Sequence, residues 1–230
     1  MGVISLSFND PCQLSCVYCR IPKDRDRFHW DFDYDKFVDA LERRGALFFD
    51  AVAAWGNGEP TIHPHFEKFL SAIQKYSLQL YTNAVIYNEH AVELCAKPGG
   101  SMIVSVDAGT RETFKRVKGQ DAFDVVWANI KKYANRGVKV SAKYLFLNEN
   151  SNTADVEGFN YEAVKAGISE IQISVDYYRQ AQIQEGQLRI MAKMLNMAEQ
   201  NGVLWRILPS VKPDEQAAIL RLKDESDRAS

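Results

Sequence analysis

Short apolar runs alternate with longer amphipathic stretches along almost the whole chain. Runs rich in β-branched residues are typical of buried strands, and apolar positions three and four residues apart are typical of the helices that cover them. The predicted strands are Val3–Phe8, Phe49–Trp55, Leu78–Thr82, Met102–Val106, Val138–Leu147, Ile171–Val175 and Val203–Leu208. The predicted helices are Tyr34–Arg44, Phe66–Tyr76, Glu89–Ala96, Phe123–Asn135, Ala154–Ala166, Gln184–Gln200 and Asp214–Lys223.

This order of elements predicts an α/β fold built on parallel strands. Repeated strand–helix units with short connections favour parallel pairing through right-handed crossovers. Six clear units fall short of the eight of a closed barrel, so we expect a partial (β/α)6-type TIM barrel with a candidate seventh strand and helix. Since no linker or repeat interrupts the pattern, we expect one domain over residues 1–223 and a charged, disordered tail at 224–230.

Composition narrows the class of protein. The 230 residues are 46% hydrophobic, enough for one large core, and the net charge of −2 gives no electrostatic case for nucleic-acid binding. No run approaches the roughly 18 apolar residues of a membrane span. The N-terminus lacks the basic and apolar regions of a signal peptide. We therefore expect a cytoplasmic protein without a nucleic-acid or membrane partner.

The four cysteines are unevenly distributed. Cys12, Cys16 and Cys19 fall within eight residues, whereas Cys95 stands apart. Neighbouring thiols this close do not bridge comfortably, and clustered thiols in a reducing compartment more often bind metal or do redox work. Cys95 lies on the apolar face of a predicted helix, so we expect it to be a buried, inert thiol.

The number of available ligands bears on which metal the cluster of thiols would bind. Structural zinc takes four closed ligands, and His29 is the only imidazole near the three cysteines. A [4Fe–4S] cluster normally takes four cysteines, so three would leave one iron open to a substrate or cofactor. A Cys3His zinc site and three metal-free packed thiols remain the alternatives. His63 and His65 are expected to flank the N-terminus of the next helix rather than to bind metal.

The spacing Cys-x3-Cys-x2-Cys, with Tyr18 directly before the third cysteine, resembles the signature of the radical S-adenosylmethionine (SAM) superfamily. The resemblance implies that Cys12, Cys16 and Cys19 hold a [4Fe–4S] cluster whose fourth iron binds SAM, with Tyr18 packed near the adenine. It also implies reductive cleavage of SAM to a 5′-deoxyadenosyl radical, which takes hydrogen from a small-molecule, peptide or protein substrate. An external electron donor of the flavodoxin or ferredoxin type would supply the electron.

Other interpretations stay open beside this one. The chain could activate a glycyl residue of a partner enzyme, or it could be a non-catalytic iron–sulfur or zinc binding module that uses the barrel for protein interaction. No cysteine follows Cys95, so the chain resembles a core domain without the SPASM-type extension that carries auxiliary clusters.

Polar residues follow the predicted strands, at the end where a parallel barrel places its chemistry. Trp55–Pro60 resembles the Gly-Gly-Glu-Pro segment of the family, with Asn57 in place of the first glycine. The resemblance implies that Gly58 and Glu59 contact the methionyl amine of SAM. An ordinary turn between strand and helix is the competing interpretation.

Two further strand ends carry short polar residues. Thr82 and Asn83, after the third strand, match a pair often found near the methionine end of SAM in this family. Strand alternation predicts that Ser105 and Asp107 share the interior face. By resemblance they would hydrogen-bond the ribose hydroxyls of SAM or the substrate, although Asp107 also fits a turn or a cap ahead of Thr110.

The last candidates lie on the fifth and sixth strands. Lys143 sits in an otherwise apolar strand, where an unpaired buried ammonium is unfavourable. We expect it to reach a carboxylate of SAM or of the protein, with outward snorkelling as the alternative. Asp176, Tyr178 and Arg179 follow the sixth strand, where the resemblance implies contact with adenine or substrate, and an ordinary surface loop is the alternative.

Overall fold

The computed structural model describes residues 2–8, 11–20, 33–43 and 50–227. The strands are β1 (Val3–Ser7), β2 (Ala51–Trp55), β3 (Ser77–Thr82), β4 (Ser101–Ser105), β5 (Val140–Phe146), β6 (Glu170–Val175) and β7 (Leu204–Ile207). The helices are α1 (Tyr34–Arg43), α2 (Phe66–Ala72), α3 (Glu89–Cys95), α4 (Arg111–Lys118), α5 (Phe123–Asn135), α6 (Thr153–Ala166), α7 (Glu185–Gln200) and α8 (Pro213–Asp227). Phe49, Arg44 and His29, which figure in the predictions above, lie outside the described residues.

All seven strands belong to one sheet in the order in which they occur along the chain. Each strand pairs in parallel with the next, from β1 at one edge to β7 at the other. The predicted partial α/β barrel is therefore confirmed, and the candidate seventh strand is part of it. Because the strands are parallel, their carboxyl ends form a single rim, where β1 leads into the cysteine loop.

The two faces of the sheet differ in character. Outward-facing residues such as Leu80, Val104 and Ile173 are fully buried against the helices. Each aliphatic side chain buried in this way contributes about 1.5–3 kcal/mol to folding. On the inner face Trp55 and Tyr81 each keep 43% of their surface exposed. The main core therefore lies between sheet and helices, and the concave face stays accessible.

Hydrophobic periodicity did not predict helix α4. Its sequence contains only Phe114 and Val117 as apolar residues, so it has no long apolar face. Its boundaries nevertheless carry ordinary signals: the Thr110 side chain caps its start, and Gly119 ends it in the left-handed region at φ +75°. Local end signals therefore define this helix better than its hydrophobic pattern does.

The last helix is longer than predicted, and residues 228–230 of the predicted tail lie outside the described residues. Helix α8 continues through Asp227, four residues beyond the predicted helix end at Lys223. Within the described part of the chain, no helix is both long and apolar enough to cross a bilayer.

Candidate active site

A cavity of about 710 Å³ opens at the carboxyl ends of the strands. This volume lies within the range of pockets that hold small organic ligands. The residues proposed from sequence that line it are Cys12, Cys16, Tyr18, Cys19, Gly58, Glu59, Thr82, Asn83, Ser105, Lys143, Asp176 and Tyr178. Asp107 and Arg179, which were also proposed, are not among the lining residues. The fold thus brings together side chains from the cysteine loop and from five strand ends.

The three loop cysteines are free thiols on the wall of this cavity. Burial raises the pKa of the Cys12 and Cys16 thiols, and neighbouring cysteines raise it further. A metal centre would supply the positive charge that stabilises these thiolates. Among the described residues, no three His, Cys, Asp or Glu side chains are placed to hold one metal ion together. In a cubane cluster each thiolate binds a different iron, so three separated thiols fit that donor set.

Glu59 joins the turn after β2 to the end of β3. Its carboxylate is 3% exposed and accepts hydrogen bonds from the Thr61 hydroxyl (2.7 Å), the Thr82 hydroxyl (2.6 Å) and the Asn83 backbone N–H (2.7 Å). Burial raises the pKa of Glu59, and these donors act in the opposite direction. The carboxylate is therefore occupied mainly by protein donors, and it fixes the backbone that faces the cavity.

Replacing Glu59 with alanine should lower the free energy of unfolding by about 3 kcal/mol, because the buried donors of Thr82 and Asn83 lose their acceptor. Glu59→Gln should recover part of this loss, since its amide oxygen can replace only one carboxylate oxygen. Urea unfolding followed by circular dichroism measures both effects. Glu112→Ala, whose side chain is 90% exposed, is the matched control and should change stability by less than about 0.5 kcal/mol.

Asn83 extends this network to the cysteine loop. Its side-chain amide lies 3.8 Å from the Cys12 sulfur as a donor, and it exchanges hydrogen bonds with the Gln13 amide at 3.1 and 3.3 Å. Hydrogen bonds to cysteine sulfur are among the features that set the potential of iron–sulfur clusters. Asn83 thus faces the cysteine loop rather than only the open cavity.

The position of Asp107 differs from the prediction that Ser105 and Asp107 share the interior face. The strand ends at Ser105, and Asp107 adopts φ +59°, so the two side chains do not share a face. Its carboxylate is 1% exposed and pairs with Lys118, accepting also from the Tyr18 hydroxyl at 2.5 Å. Burial alone would raise the pKa of Asp107, but Lys118 and its other donors overcome this and lower it. Asp107 binds protein groups and does not reach the cavity.

The remaining cations at the rim have different environments. Lys143 is half-buried on the cavity wall, and within the described residues its ammonium has no hydrogen-bonded or ion-paired partner. Outward snorkelling is thus excluded for Lys143. Arg20 bridges to Asp176 at 3.1 Å and lies 4.3 Å from the centre of the Tyr178 ring. Arg179 instead pairs with Glu215 of α8, which makes it part of the scaffold rather than a ligand contact.

A family model described as the radical SAM superfamily matches residues 6–157. The chain belongs to the radical SAM superfamily. Members of this superfamily use a [4Fe–4S] cluster and SAM as cofactors, which agrees with the cofactors predicted from the cysteine spacing.

Curated relatives within the superfamily are similar over part of their length. A probable GTP 3′,8-cyclase from Saccharolobus islandicus (strain Y.N.15.51 / Yellowstone #2) is 25% identical over 175 residues, which cover 74% of this chain and 55% of that protein. A GTP 3′,8-cyclase from Clostridium perfringens (strain SM101 / Type A) is 23% identical over 167 residues, covering 70% and 49%. The chain spans about half the length of these relatives.

Solved structures show the same fold. SuiB from Streptococcus suis bound to S-adenosylmethionine superposes with a TM-score of 0.71 at 15% identity, covering 90% of this chain and 50% of SuiB. The protein anSMEcpe with bound AdoMet and Cp18Cys peptide gives 0.66 at 16% identity, covering 89% and 62%. At these identities the likeness concerns the fold alone, and it agrees with the radical SAM assignment.

Cys95, His63 and His65 occupy the positions expected for them. Cys95 is 1% exposed, and burial raises the pKa of its thiol to about 12, as expected for an inert core thiol. His63 packs edge-on against Phe8, and His65 lies at the start of α2 without capping it through its side chain. Neither histidine lines the cavity.

Proposed function

We propose that this chain carries out radical SAM chemistry at the rim cavity, with the cluster on Cys12, Cys16 and Cys19. The observation that carries the proposal is the donor set: three thiols share a cavity with polar groups from five strand ends, while Cys95 lies in the core. When bound, the cluster and SAM supply a one-electron reductive cleavage that gives methionine and a 5′-deoxyadenosyl radical able to take hydrogen from a substrate. An external one-electron donor is part of this proposal.

The residues of the chain would orient SAM from several sides. The turn at Gly58, which Glu59 holds in place, and the Thr82–Asn83 segment border the methionyl end. Lys143 offers the carboxylate of SAM an ammonium without a competing partner among the described residues. Ser105 and Asp176 would border the ribose and adenine, and the Tyr18 ring would pack near the adenine while its hydroxyl donates to Asp107.

Access for the substrate comes from the open inner face. Trp55 and Tyr81 stand on adjacent strands beside the cavity, and both are 43% exposed. The indole N–H of Trp55 is held by the Ser5 hydroxyl at 3.0 Å, which fixes the orientation of the ring. Such aromatic surfaces suit the apolar part of a small molecule or of a peptide side chain. We place the substrate here, above the bound SAM.

Anaerobic reconstitution tests the proposal. The loaded protein should contain about four iron and four sulfide per chain, and dithionite with SAM should release 5′-deoxyadenosine and methionine. One zinc per chain without sulfide would instead support a binding module. A loaded protein that never cleaves SAM would contradict the catalytic claim. Because the curated relatives are named GTP 3′,8-cyclases, GTP is the first small molecule to test for faster SAM cleavage.

Lys143→Met should weaken SAM binding about tenfold, equivalent to about 1.4 kcal/mol, because the carboxylate loses its charged partner. Equilibrium dialysis of SAM against the reconstituted protein measures this, and iron content should stay unchanged. Lys139→Met removes an exposed lysine just before the same strand and should leave SAM affinity at the wild-type value. Equal affinities for the two variants would remove Lys143 from the SAM site.

A further inference from the structure

The cysteine loop is docked onto the carboxyl end of α4. The Ser15 N–H donates to the Lys118 carbonyl at 2.9 Å, and the Val17 N–H donates to the Val117 carbonyl at 2.9 Å. Gly119 lies so close that a Cβ there would come within 2.8 Å of Ser15. The loop therefore takes its position from α4 as well as from β1.

A buried polar triad lies beside this contact. The Tyr18 hydroxyl donates to Asp107 at 2.5 Å and accepts from the Lys118 ammonium at 2.8 Å, while Lys118 and Asp107 form an ion pair. Both charged side chains are 1% exposed. Tyr18 stands between two cluster cysteines in sequence, so the triad ties the Cys16–Cys19 segment to the ends of β4 and α4.

Asp107 is itself held rigidly. Its second carboxylate oxygen accepts the Leu145 N–H at 2.7 Å, and its carbonyl accepts the Asn150 side-chain amide at 2.9 Å. Its backbone adopts φ +59°, a region that non-glycine residues occupy uncommonly, and these hydrogen bonds hold it there. The triad thus connects the cysteine loop to Asp107, whose position is fixed by hydrogen bonds from β5 and from Asn150 beyond it.

Stability alone is a weak reason for such a pair. Removing two charges from water costs several kcal/mol per ion, and apolar replacements of buried pairs are often neutral or stabilising. The position of the pair is more informative, because Lys118 also lines the cavity beside the cysteines. Asp107, the anion of the pair, is not among the lining residues. The cation of the pair is therefore the member that faces the cluster site.

We infer that Lys118 is a positioning residue of the cluster site: with Asp107 and Tyr18 it fixes the Cys16–Cys19 segment, and its ammonium favours the reduced cluster. The electrostatic part rests on the proposed function, whereas the positioning part concerns the chain alone. A cation near the sulfur stabilises the extra negative charge that the cluster gains when an external donor reduces it by one electron.

Amide hydrogen exchange on the metal-free protein tests the positioning part. Lys118→Met, Tyr18→Phe and the double variant Asp107→Asn with Lys118→Met should speed exchange across residues 15–19 at least about tenfold. Lys115→Met removes an exposed lysine from the same helix and should leave exchange unchanged. The double variant leaves no uncompensated charge, so it folds even where the single lysine variant does not. Unchanged exchange in Tyr18→Phe and the double variant overturns the positioning role.

A potentiometric titration followed by electron paramagnetic resonance tests the electrostatic part. At a fixed potential, the ratio of reduced to oxidised cluster in the double variant should fall about tenfold relative to wild type and Lys115→Met. An unchanged ratio in a double variant with full iron content overturns this part. If the wild-type protein takes up no cluster, the proposed function fails, and the exchange result still decides the positioning role.

Discussion

Reconstitution of the Cys16→Ala variant should yield protein without a stable cluster. Cys16 is one of three thiols that would hold three of the four irons, and the fourth cysteine of the chain, Cys95, lies in the core and cannot replace it. Loss of an outer-shell partner alone typically costs 10–100-fold in metal affinity, so loss of a direct ligand should lower bound iron by at least about tenfold. Iron and sulfide analysis after desalting measures this, together with the loss of visible absorbance.

Cys95→Ala is the matched control for that experiment. Its thiol is buried in the core, so the substitution should leave iron content at the wild-type level and lower the free energy of unfolding by about 1 kcal/mol. Loss of iron in Cys95→Ala would make this thiol a ligand and would contradict the assignment of three ligands. Full iron retention in Cys16→Ala would contradict the assignment of the loop.

Gly109→Ala should strongly destabilise the fold, because a methyl group at this position has no room. A Cβ at this position would lie 1.7 Å from the Asp155 carbonyl oxygen and 2.5 Å from the Phe159 nitrogen. The backbone is held in place because the Gly109 and Thr110 N–H groups donate to the Asp155 carboxylate at 3.0 and 3.2 Å. We expect a loss of about 3 kcal/mol or more, or failure to fold.

Chemical denaturation of the apo-protein measures this loss, and Gly186→Ala supplies the control. Gly186 lies in the first turn of α7, and a Cβ there would meet no atom within 4 Å. The control should keep or slightly raise stability, by up to about 1 kcal/mol, because alanine favours helix more than glycine. A Gly109→Ala variant as stable as wild type would mean that the crossing of the turn and α6 is looser than the structure shows.

Hydrophobic periodicity was sufficient to predict the sheet and most of its helices. Helix α5 spans the residues predicted for it, Phe123–Asn135, because its apolar positions repeat with the helical period and Gly137 follows its end. Helix α4 could not be found in this way, since it is only eight residues long and carries only two apolar residues, Phe114 and Val117. Its cap and its final glycine were the available signals.

Cysteine spacing predicts that Cys12, Cys16 and Cys19 act together because residues close in sequence are also close in space, and the structure places all three on one cavity wall. The partners of these ligands are distant in sequence: Tyr18 meets Asp107 and Lys118 across 89 and 100 residues. Strand alternation applies only while the backbone stays extended, so it holds for Lys143 and fails for Asp107, whose φ is positive. Long-range pairing and local backbone conformation were therefore the information that the sequence patterns lacked.

The order of the strands across the sheet is the same as their order along the chain. Each loop at the rim therefore lies beside the loops that precede and follow it in the sequence. Neighbouring loops are thus encoded by consecutive segments of the gene. Since every loop is anchored by a strand of a rigid scaffold, lengthening or exchanging one loop changes one part of the rim without rearranging the other loops. The cysteine loop follows β1 at one edge of the sheet, so the loops after the other strands can change in length or sequence while the cysteine loop is retained.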